Sequence, residues 1–246
     1  MVKCIMKKQT GHIQVKFDLI KSMIQHVPFD GWSIKALEQG AIDISFEQDE
    51  NIDTRMKIYR DLFKNGSIDF IDIFSEMIDL EVKKNYEKIK SKPERVPEKI
   101  KKIILIRLSL CLKYKEAIRS SIPITALPKN SKKSIGILYR TCNSIWRIIG
   151  DKSTDFSFYT KRVSLAAVYS STLLFWLNDA SKDQEETSLF LDRRLSDISK
   201  IPKLKKPFSL IKKVSSNINK TKKSFRIKSV VDFLKKLNQK ENSSFS

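Results

Sequence analysis

Residues that break helices are scarce in this chain. Its 246 residues include only six glycines and seven prolines. A protein built from short strands and tight turns needs many more of both, so this scarcity favours long helices. No alternation of apolar and polar residues typical of strands recurs along the sequence. The sequence therefore predicts an all-α fold.

Histidine and cysteine are also scarce, which limits the possible chemistry. The two histidines, His12 and His26, and the three cysteines, Cys4, Cys111 and Cys142, lie far apart and show no metal-ligand spacing. The sequence contains no glycine-rich phosphate loop and no nucleophile elbow. Isolated cysteines in odd number fit a reducing compartment, and two of them lie among apolar residues, as buried thiols do. We expect no metal, no cofactor and no catalytic site.

Long hydrophobic runs are missing as well. The longest stretch without a charged residue runs from Val163 to Asn178, which is 16 residues. A helix that spans a bilayer needs roughly 20. The first residues also lack the apolar run of a signal peptide. We expect any membrane contact to be peripheral.

Positive charge, by contrast, is abundant. The chain has 48 lysines and arginines against 28 acidic residues, a net charge of +20. Such a surplus favours an anionic partner, which could be nucleic acid, a membrane surface or an acidic protein. A general enrichment in lysine along the chain is the alternative explanation. More than half of the surplus lies in residues 201–246, where 13 cations face two acids.

The tail, residues 201–246, has two stretches in which apolar residues recur at helical spacing opposite lysines. This pattern is typical of a helix that lies in a membrane interface. A disordered basic tail and a nucleic-acid-binding arm are the alternatives. The predicted membrane-binding residues are Phe208, Ile211, Lys212, Lys213, Ile218, Lys222 and Phe225.

Apolar periodicity and breakers predict the helices and their ends. Ser33 and Ser131 are expected to cap helices, and Gly150 is expected to end one in the left-handed conformation. Pro123 and Pro128 are expected to bracket a short link. The basic side of helix 98–120, which includes Arg107, is expected to face solvent. The predicted helices cover residues 14–27, 33–46, 53–65, 67–82, 98–120, 131–149, 155–178 and 184–200.

The helix over 155–178 is the most apolar part of the chain. On sequence alone it fits an ordinary central helix best, and one wall of a lipid-binding cavity is the alternative. Residues 173–177 are five large apolar side chains in a row, so at least one or two must face outward and mark an interaction surface. The predicted inward face comprises Tyr159, Val163, Ala166, Ala167, Ser170, Leu173, Leu174 and Leu177.

Two charged segments bear on the choice of ligand. Arg193 and Arg194 could bind a lipid phosphate, since a guanidinium matches phosphate geometry, or they could pair with neighbouring acids such as Asp197. Between Ala36 and Thr54 there is no lysine or arginine but there are six acids. A helix-turn-helix with that charge would be repelled by DNA, so no nucleic-acid partner is expected.

Several segments closely match a known family. They are HVPFDGWSIKAL (26–37), RLSLCLKYKEAIRSSIPITALPKN (107–130), GDKSTDFSFYTKR (150–162), LAAVYSSTLLFWL (165–177) and TSLFLDRRLSDI (187–198). With them the chain resembles, over roughly residues 14–200, the helical accessory proteins of ubiquinone (coenzyme Q) biosynthesis.

The resemblance implies a tetracycline-repressor-like fold, a homodimer and a cavity for an isoprenoid quinone precursor and phospholipid. It implies partnership with the demethoxyubiquinone hydroxylase and an amphipathic C-terminal helix on the membrane. The location would be the cytoplasmic side of the inner membrane or the equivalent matrix face. Three regions follow: vestigial helix-turn-helix-like helices over 1–65, a lipid-binding core over 66–200 and the tail.

The resemblance also suggests roles for individual residues. Arg194 lies where the family has an arginine associated with a phospholipid headgroup. Ser188 replaces a tryptophan that is common in the family on a partner-facing patch. The predicted lipid-binding residues are Trp146, Tyr159, Val163, Ala167, Ser170, Leu174, Leu177 and Arg194. The predicted partner-binding residues are Leu173, Phe175, Trp176 and Ser188.

These features lead to one prediction of function and two alternatives. The chain is expected to be a non-catalytic protein that binds a polyprenylated quinone precursor and presents it to the hydroxylase. A ligand-responsive transcription regulator of the tetracycline-repressor type is one alternative. A membrane-surface scaffold with a filled core and no ligand is the other.

Overall fold

A computed structural model describes residues 2–45, 52–153 and 156–200, and the regular structure in these ranges is entirely helical. This confirms the prediction of an all-α fold. The helices are α1 (Val2–Met23), α2 (Val27–Asp30), α3 (Ile34–Ser45), α4 (Ile52–Leu62), α5 (Ser67–Glu87), α6 (Val96–Cys111), α7 (Lys115–Ala126), α8 (Ser131–Ile148), α9 (Phe156–Asn178) and α10 (Glu185–Lys200).

The first helices pack closely because of one glycine. A Cβ atom at Gly40 in α3 would lie 2.5 Å from the backbone nitrogen of Met23 in α1, so only glycine allows this approach. The Ser33 hydroxyl accepts a hydrogen bond from the amide of Ala36 at 3.2 Å. The predicted cap of this helix is therefore confirmed.

Trp32 joins these helices to the rest of the bundle. Its indole nitrogen donates to the carbonyl of Ala117 in α7 at 2.8 Å, and its ring lies 5.7 Å from that of Phe74 in α5. Among the described residues, those up to Leu191 form one compact unit, and those from Asp192 onward belong to a second. The predicted boundary at residue 65, between helix-turn-helix-like helices and a lipid-binding core, divides the chain by function and stays a prediction.

The directions of the central helices follow from their contacts. Lys133 near the start of α8 pairs with Asp69 near the start of α5, and Thr141 further along donates to Asp79 at 2.9 Å. Helices α5 and α8 therefore run in the same direction. The short turn 88–95 reverses the chain into α6, and α9 returns along α8 after the turn at Gly150.

Two predicted boundaries are wrong. The helix expected over 98–120 ends at Cys111, and a 3-10 turn leads into α7. Helix α7 then passes through Pro123, where a link was expected. Pro123 is exposed and lies in the last turn of the helix, so the amide hydrogen bond that proline cannot make is lost beside solvent, where its loss costs least.

The two ends of α8 differ in how well they follow the prediction. Ser131 does not cap this helix, because the capping position is Asn130, whose side-chain amide donates to the carbonyl of Ile124 at 2.8 Å. Gly150 has φ +82°, which confirms the left-handed residue expected after α8. Cys111 and Cys142 are buried, as expected.

Candidate functional site

Asp151 fixes the beginning of α9. Its carboxylate accepts hydrogen bonds from the Lys161 ammonium at 2.7 Å, the Ser153 hydroxyl at 2.8 Å and the Arg162 guanidinium at 3.2 Å. Burial alone would raise the pKa of Asp151, but these donors hold it below its ordinary value. One carboxylate thus fastens the loop after α8 to the first turns of α9.

Arg162 extends this attachment into the core. It is buried, its Nε donates to the amide oxygen of Asn143 in α8 at 2.8 Å, and its guanidinium carbon lies 3.3 Å from the centroid of the Phe158 ring. Trp146, predicted to bind lipid, is half-buried and donates to the carbonyl of Lys161 at 3.3 Å. The segment GDKSTDFSFYTKR therefore contains the residues that hold α8 and α9 together.

The buried face of α9 differs from the predicted one. Its residues follow spacings of four and three, and they are Phe158, Arg162, Leu165, Tyr169, Thr172 and Trp176. Val163 and Leu174, which were expected inside, are 57% and 50% exposed, and Ala167 is exposed too. Tyr159, Ser170 and Leu173 are half-buried, and Leu177 is buried.

The predicted inward face of α9 is wrong because polar groups determine which face of this helix points inward. Tyr169 lies in a buried network in which the Arg107 Nε donates to its hydroxyl at 2.8 Å. Arg107 also pairs with Asp79 at 2.7 Å and donates to the Ser75 hydroxyl at 3.0 Å. Thr141 completes the network through Asp79. The expectation that Arg107 faces solvent is therefore wrong.

The charges in this network match one another. Burial alone would lower the pKa of Arg107, but the adjacent Asp79 carboxylate raises it above its ordinary value, so the guanidinium stays charged. Burial raises the pKa of Tyr169 to about 12, so its hydroxyl stays neutral. The sequence did contain a signal for this pair. Arg107 follows Ile103 and Ile104 on the apolar side of α6, and Asp79 precedes Val82 on that of α5.

A second carboxylate fixes the end of α9. Asp179 accepts hydrogen bonds from the amide of Ser181 at 2.8 Å and from the amide and hydroxyl of Thr187 at 2.9 and 2.5 Å. Although burial opposes ionisation, these donors lower the pKa of Asp179 to about 2. Lys115 of α7 donates to its carbonyl at 2.7 Å, and Arg119 donates to that of Leu177.

Trp176 belongs to this attachment and not to the surface. Its side chain is 0% exposed, and its indole nitrogen donates to the Gln184 side chain at 2.8 Å. Gln184 and the preceding Asp183 have φ values of +60° and +54°, which non-glycine residues rarely adopt. Trp176 therefore has no exposed side chain for a partner to contact in this structure, and its predicted role as a contact residue stays a prediction.

The opposite side of α9 presents apolar residues to solvent. Phe175 stacks on Phe190 of α10, with ring centroids 4.4 Å apart and an interplanar angle of 10°. Leu189, next to Phe190, is 53% exposed, and Ser188 is half-buried. We call the following set the outer apolar surface: Val163, Ala167, Leu174, Phe175, Leu189 and Phe190.

The remaining predicted residues lie elsewhere. Arg194 belongs to the second unit, where it is exposed and pairs with Asp197 at 2.9 Å. The predicted membrane-binding residues lie outside the described residues. Within the described ranges, no group of three or more histidine, cysteine or acidic side chains could hold a metal ion. No helix in those ranges is long and apolar enough to cross a bilayer.

Comparison with known proteins agrees with the resemblance predicted from the sequence. Residues 131–202, which span α8 to α10, match the family model described as COQ9. The chain is similar to ubiquinone biosynthesis protein COQ9-A, mitochondrial, of Xenopus laevis, with 27% identity over 191 residues, 75% of this chain and 57% of that protein. The human COQ9 protein is 25% identical over 191 residues, again 75% and 57% of the two chains.

A fungal relative matches in the same way. The coq9 protein of Schizosaccharomyces pombe is 28% identical over 193 residues, 76% of this chain and 71% of that protein. The chain covers less than two thirds of the length of the frog and human proteins. The resemblance to ubiquinone biosynthesis proteins of the COQ9 type is confirmed.

Proposed function

We propose that this chain is a non-catalytic accessory protein of ubiquinone biosynthesis. It binds a polyprenylated quinone precursor together with phospholipid and presents the precursor to the demethoxyubiquinone hydroxylase at a membrane. The names of its relatives support the pathway. The observation that carries the proposal is the outer apolar surface.

This surface needs an explanation because, apart from the stack of Phe175 on Phe190, it contributes little to holding α9 in place. The helix is attached through Asp151, Tyr169 and Asp179, which lie at its beginning, on its inner face and at its end. Val163 and Leu174 are nevertheless large apolar residues, and at least half of each side chain is exposed. Large exposed apolar residues that recur along one face mark a site of interaction.

A prenyl chain fits such a surface chemically. Each methylene-sized group exposed to water costs about 0.8 kcal/mol, so a long prenyl tail is costly to bring out of a bilayer. A protein that covers part of this tail with Val163, Ala167 and Leu174 lowers the cost of delivery. It can therefore accelerate a pathway without taking part in the chemistry.

The hydroxylase is proposed to dock around the end of α9. Leu174, Phe175 and Leu189 offer apolar contacts there, and the stack of Phe175 on Phe190 fixes α9 and α10 relative to each other at this point. Ser188 contributes less contact than the tryptophan common in the family. The proposed complex contains a homodimer of this chain, which follows from the resemblance.

The proposed location is peripheral, on the matrix face of a mitochondrial membrane or the cytoplasmic face of a bacterial inner membrane. The relatives are named as mitochondrial proteins. The 13 cations of the tail supply attraction to an anionic bilayer, at about 1 kcal/mol for each one near the surface. Arg194 is proposed to bind a phospholipid phosphate, exchanging Asp197 for it.

Lipid extraction tests the proposal. We expect full-length protein to carry a quinone precursor or phospholipid, detected by native mass spectrometry and identified after organic extraction. The double variant Leu174→Ser/Leu189→Ser should lose both this lipid and capture of the hydroxylase. The matched control is Leu80→Ser/Leu112→Ser, which removes two leucines of similar exposure, one from α5 and one from the 3-10 turn before α7, and should retain both.

Two results would count against the proposal. Lipid-free protein that still unfolds cooperatively would favour the scaffold, and equal behaviour of the two double variants would remove the role of the outer apolar surface. Salt-sensitive binding to duplex DNA would instead support the regulator.

A further inference from the structure

A second strongly charged region lies at one end of the first unit, far from the tail in sequence. Residues 83–102 contain nine lysines and arginines against three glutamates. They form the last turn of α5, the turn 88–95 and the first half of α6, and we call them the basic hairpin. The cations whose side chains are exposed are Lys83, Lys84, Lys88, Lys90, Lys92, Arg95 and Lys102.

These cations differ from those at the opposite end of the same bundle. There, Lys115 and Arg119 bind the last carbonyls of α9, and Lys133 pairs with Asp69. Those charges hold the fold together. In the basic hairpin, Lys84 pairs with Glu81 at 3.6 Å at an exposed site, and such pairs contribute little. Lys92 also lies 5.4 Å from the centroid of the Tyr86 ring. Because seven of the nine cations are exposed, the charge of the hairpin is directed mainly at solvent.

Further basic residues lie at the same end. Helix α8 runs parallel to α5, and Thr141 lies level with Asp79, so seven residues later Ile148 lies about level with Tyr86. The exposed Arg147, in the last turn of α8, and the exposed Lys152, just after this helix, therefore lie at the same end of the bundle as the basic hairpin. Cations from three helices are thus gathered at one end of the bundle.

We propose that the basic hairpin is a contact site for an anionic bilayer surface, additional to the tail. It shares with the proposed function only the assumption that the protein works at a membrane. Its chemistry favours phospholipid headgroups over nucleic acid for two reasons. Eight of the nine cations are lysines, whereas arginine prevails where phosphates of nucleic acid are bound bidentately. The 46% exposed Val96 also lies among the charges.

An apolar side chain surrounded by lysines suits the boundary between headgroups and acyl chains. Val96 can enter that boundary while the long stems of the lysines extend toward the phosphates. Pro93 in the turn and Pro97 in the first turn of α6 restrict the backbone on both sides of it. The turn therefore presents the valine and the cations together without much loss of conformational entropy on binding.

Vesicle co-sedimentation of the full-length protein tests this site. The variant Lys83→Gln/Lys88→Gln/Lys90→Gln/Lys92→Gln is compared with Lys21→Gln/Lys57→Gln/Lys64→Gln/Lys129→Gln. Both keep the complete tail and lose the same four charges, all from exposed positions. The vesicles contain phosphatidylcholine with phosphatidylglycerol, or phosphatidylcholine alone.

We expect the hairpin variant to partition to the anionic vesicles at least about tenfold less than the unaltered protein, and the control variant to stay within about twofold of it. The difference should shrink as salt is added and should disappear on phosphatidylcholine alone. Circular dichroism and thermal unfolding of both variants confirm that their folds are intact.

Several outcomes would overturn the site. Equal losses in the two variants would mean that only net charge matters, and no loss in either would mean that the tail suffices. A hairpin variant that loses duplex DNA binding but keeps vesicle binding would identify a nucleic-acid site instead. Lipid extraction from the same preparations reports on the carrier function separately. If no quinone precursor is extracted but the hairpin variant alone loses vesicle binding, the carrier function is refuted and the membrane-contact site is supported.

Discussion

The two faces of α9 differ in which polar and apolar residues they carry. The inner face carries Arg162, Tyr169 and Thr172 among its buried residues, whereas Val163 and Leu174 lie outside. Hydrophobicity alone would place them the other way round. The difference shows that, in a helix apolar on all sides, a few polar pairs decide which face is buried.

Polar pairs determine the orientation because they are costly to leave unmade. A buried leucine can exchange places with another leucine at little cost, but Arg107 without Asp79 leaves a buried charge uncompensated. Rotating α9 would break the bond from Arg107 to Tyr169 as well as the attachments at both ends of the helix. The apolar residues outside are therefore free to serve binding. Four substitutions test this contrast.

Removing the central guanidinium should have the largest effect. Arg107→Ala leaves the Asp79 carboxylate buried without its cation, which should lower the free energy of unfolding by about 3 to 5 kcal/mol. Urea denaturation followed by circular dichroism measures the loss. The exposed Arg95→Ala is the control and should change stability by about 0.5 kcal/mol or less. Similar losses in the two variants would refute the network.

Neutralising the carboxylate at the beginning of α9 should have the next largest effect. Asp151→Asn weakens the hydrogen bonds from Lys161 and Arg162, at a cost of about 2 to 3 kcal/mol. Denaturant unfolding tests it beside Asp61→Asn, an exposed carboxylate, which should be nearly neutral. A neutral result at Asp151 would show that the inner face does not depend on this attachment.

The carboxylate at the end of α9 should show its contribution in the pH dependence of stability. The folded pKa of Asp179, about 2, lies below its ordinary value, so its stabilisation is complete above about pH 4 and is lost as the pH falls toward 2. Asp179→Asn should cost about 1 to 2 kcal/mol at neutral pH and should flatten the stability profile across that window.

The neighbouring Asp183 supplies the control for this measurement. Asp183→Asn alters an exposed residue at φ +54°, a conformation that asparagine tolerates well, so its stability should stay the same or rise slightly. An unchanged pH profile in Asp179→Asn would contradict the assignment.

Substitution on the outer face should have the smallest effect on stability. Val163→Ser removes an exposed methyl-bearing side chain and should change the free energy of unfolding by about 0.5 kcal/mol or less. Lipid co-purification should fall nonetheless. A loss of stability comparable to that in Arg107→Ala would mean that both faces of α9 are structural.

Much of the helical architecture was predictable because its signals are local. Few breakers, the Ser33 cap and the left-handed Gly150 gave the fold class and several boundaries. The residues that attach α8 to α9 lie within the recognisable segment 150–162. That Asp151 binds Lys161 and Arg162 there could be seen only in the structure.

The orientation of α9 was not predictable in the same way. Sixteen uncharged residues contain no contrast between polar and apolar faces, so their periodicity is ambiguous. The deciding group, Arg107, lies 62 residues away from Tyr169 in sequence. Trp176 is buried with its indole bound to Gln184, which lies in a turn with positive φ. That turn contains no glycine or asparagine that would have predicted this conformation from the sequence.

The three tryptophans make the molecule a convenient subject for fluorescence. Each indole nitrogen donates across a different junction: Trp32 to Ala117, Trp146 to the backbone of Lys161 and Trp176 to Gln184. Replacing two of them with phenylalanine leaves one emitter that reports on the N-terminal helices, the beginning of α9 or its end. The emission maximum of each single-tryptophan protein would then show which junction opens first when a membrane or a partner binds.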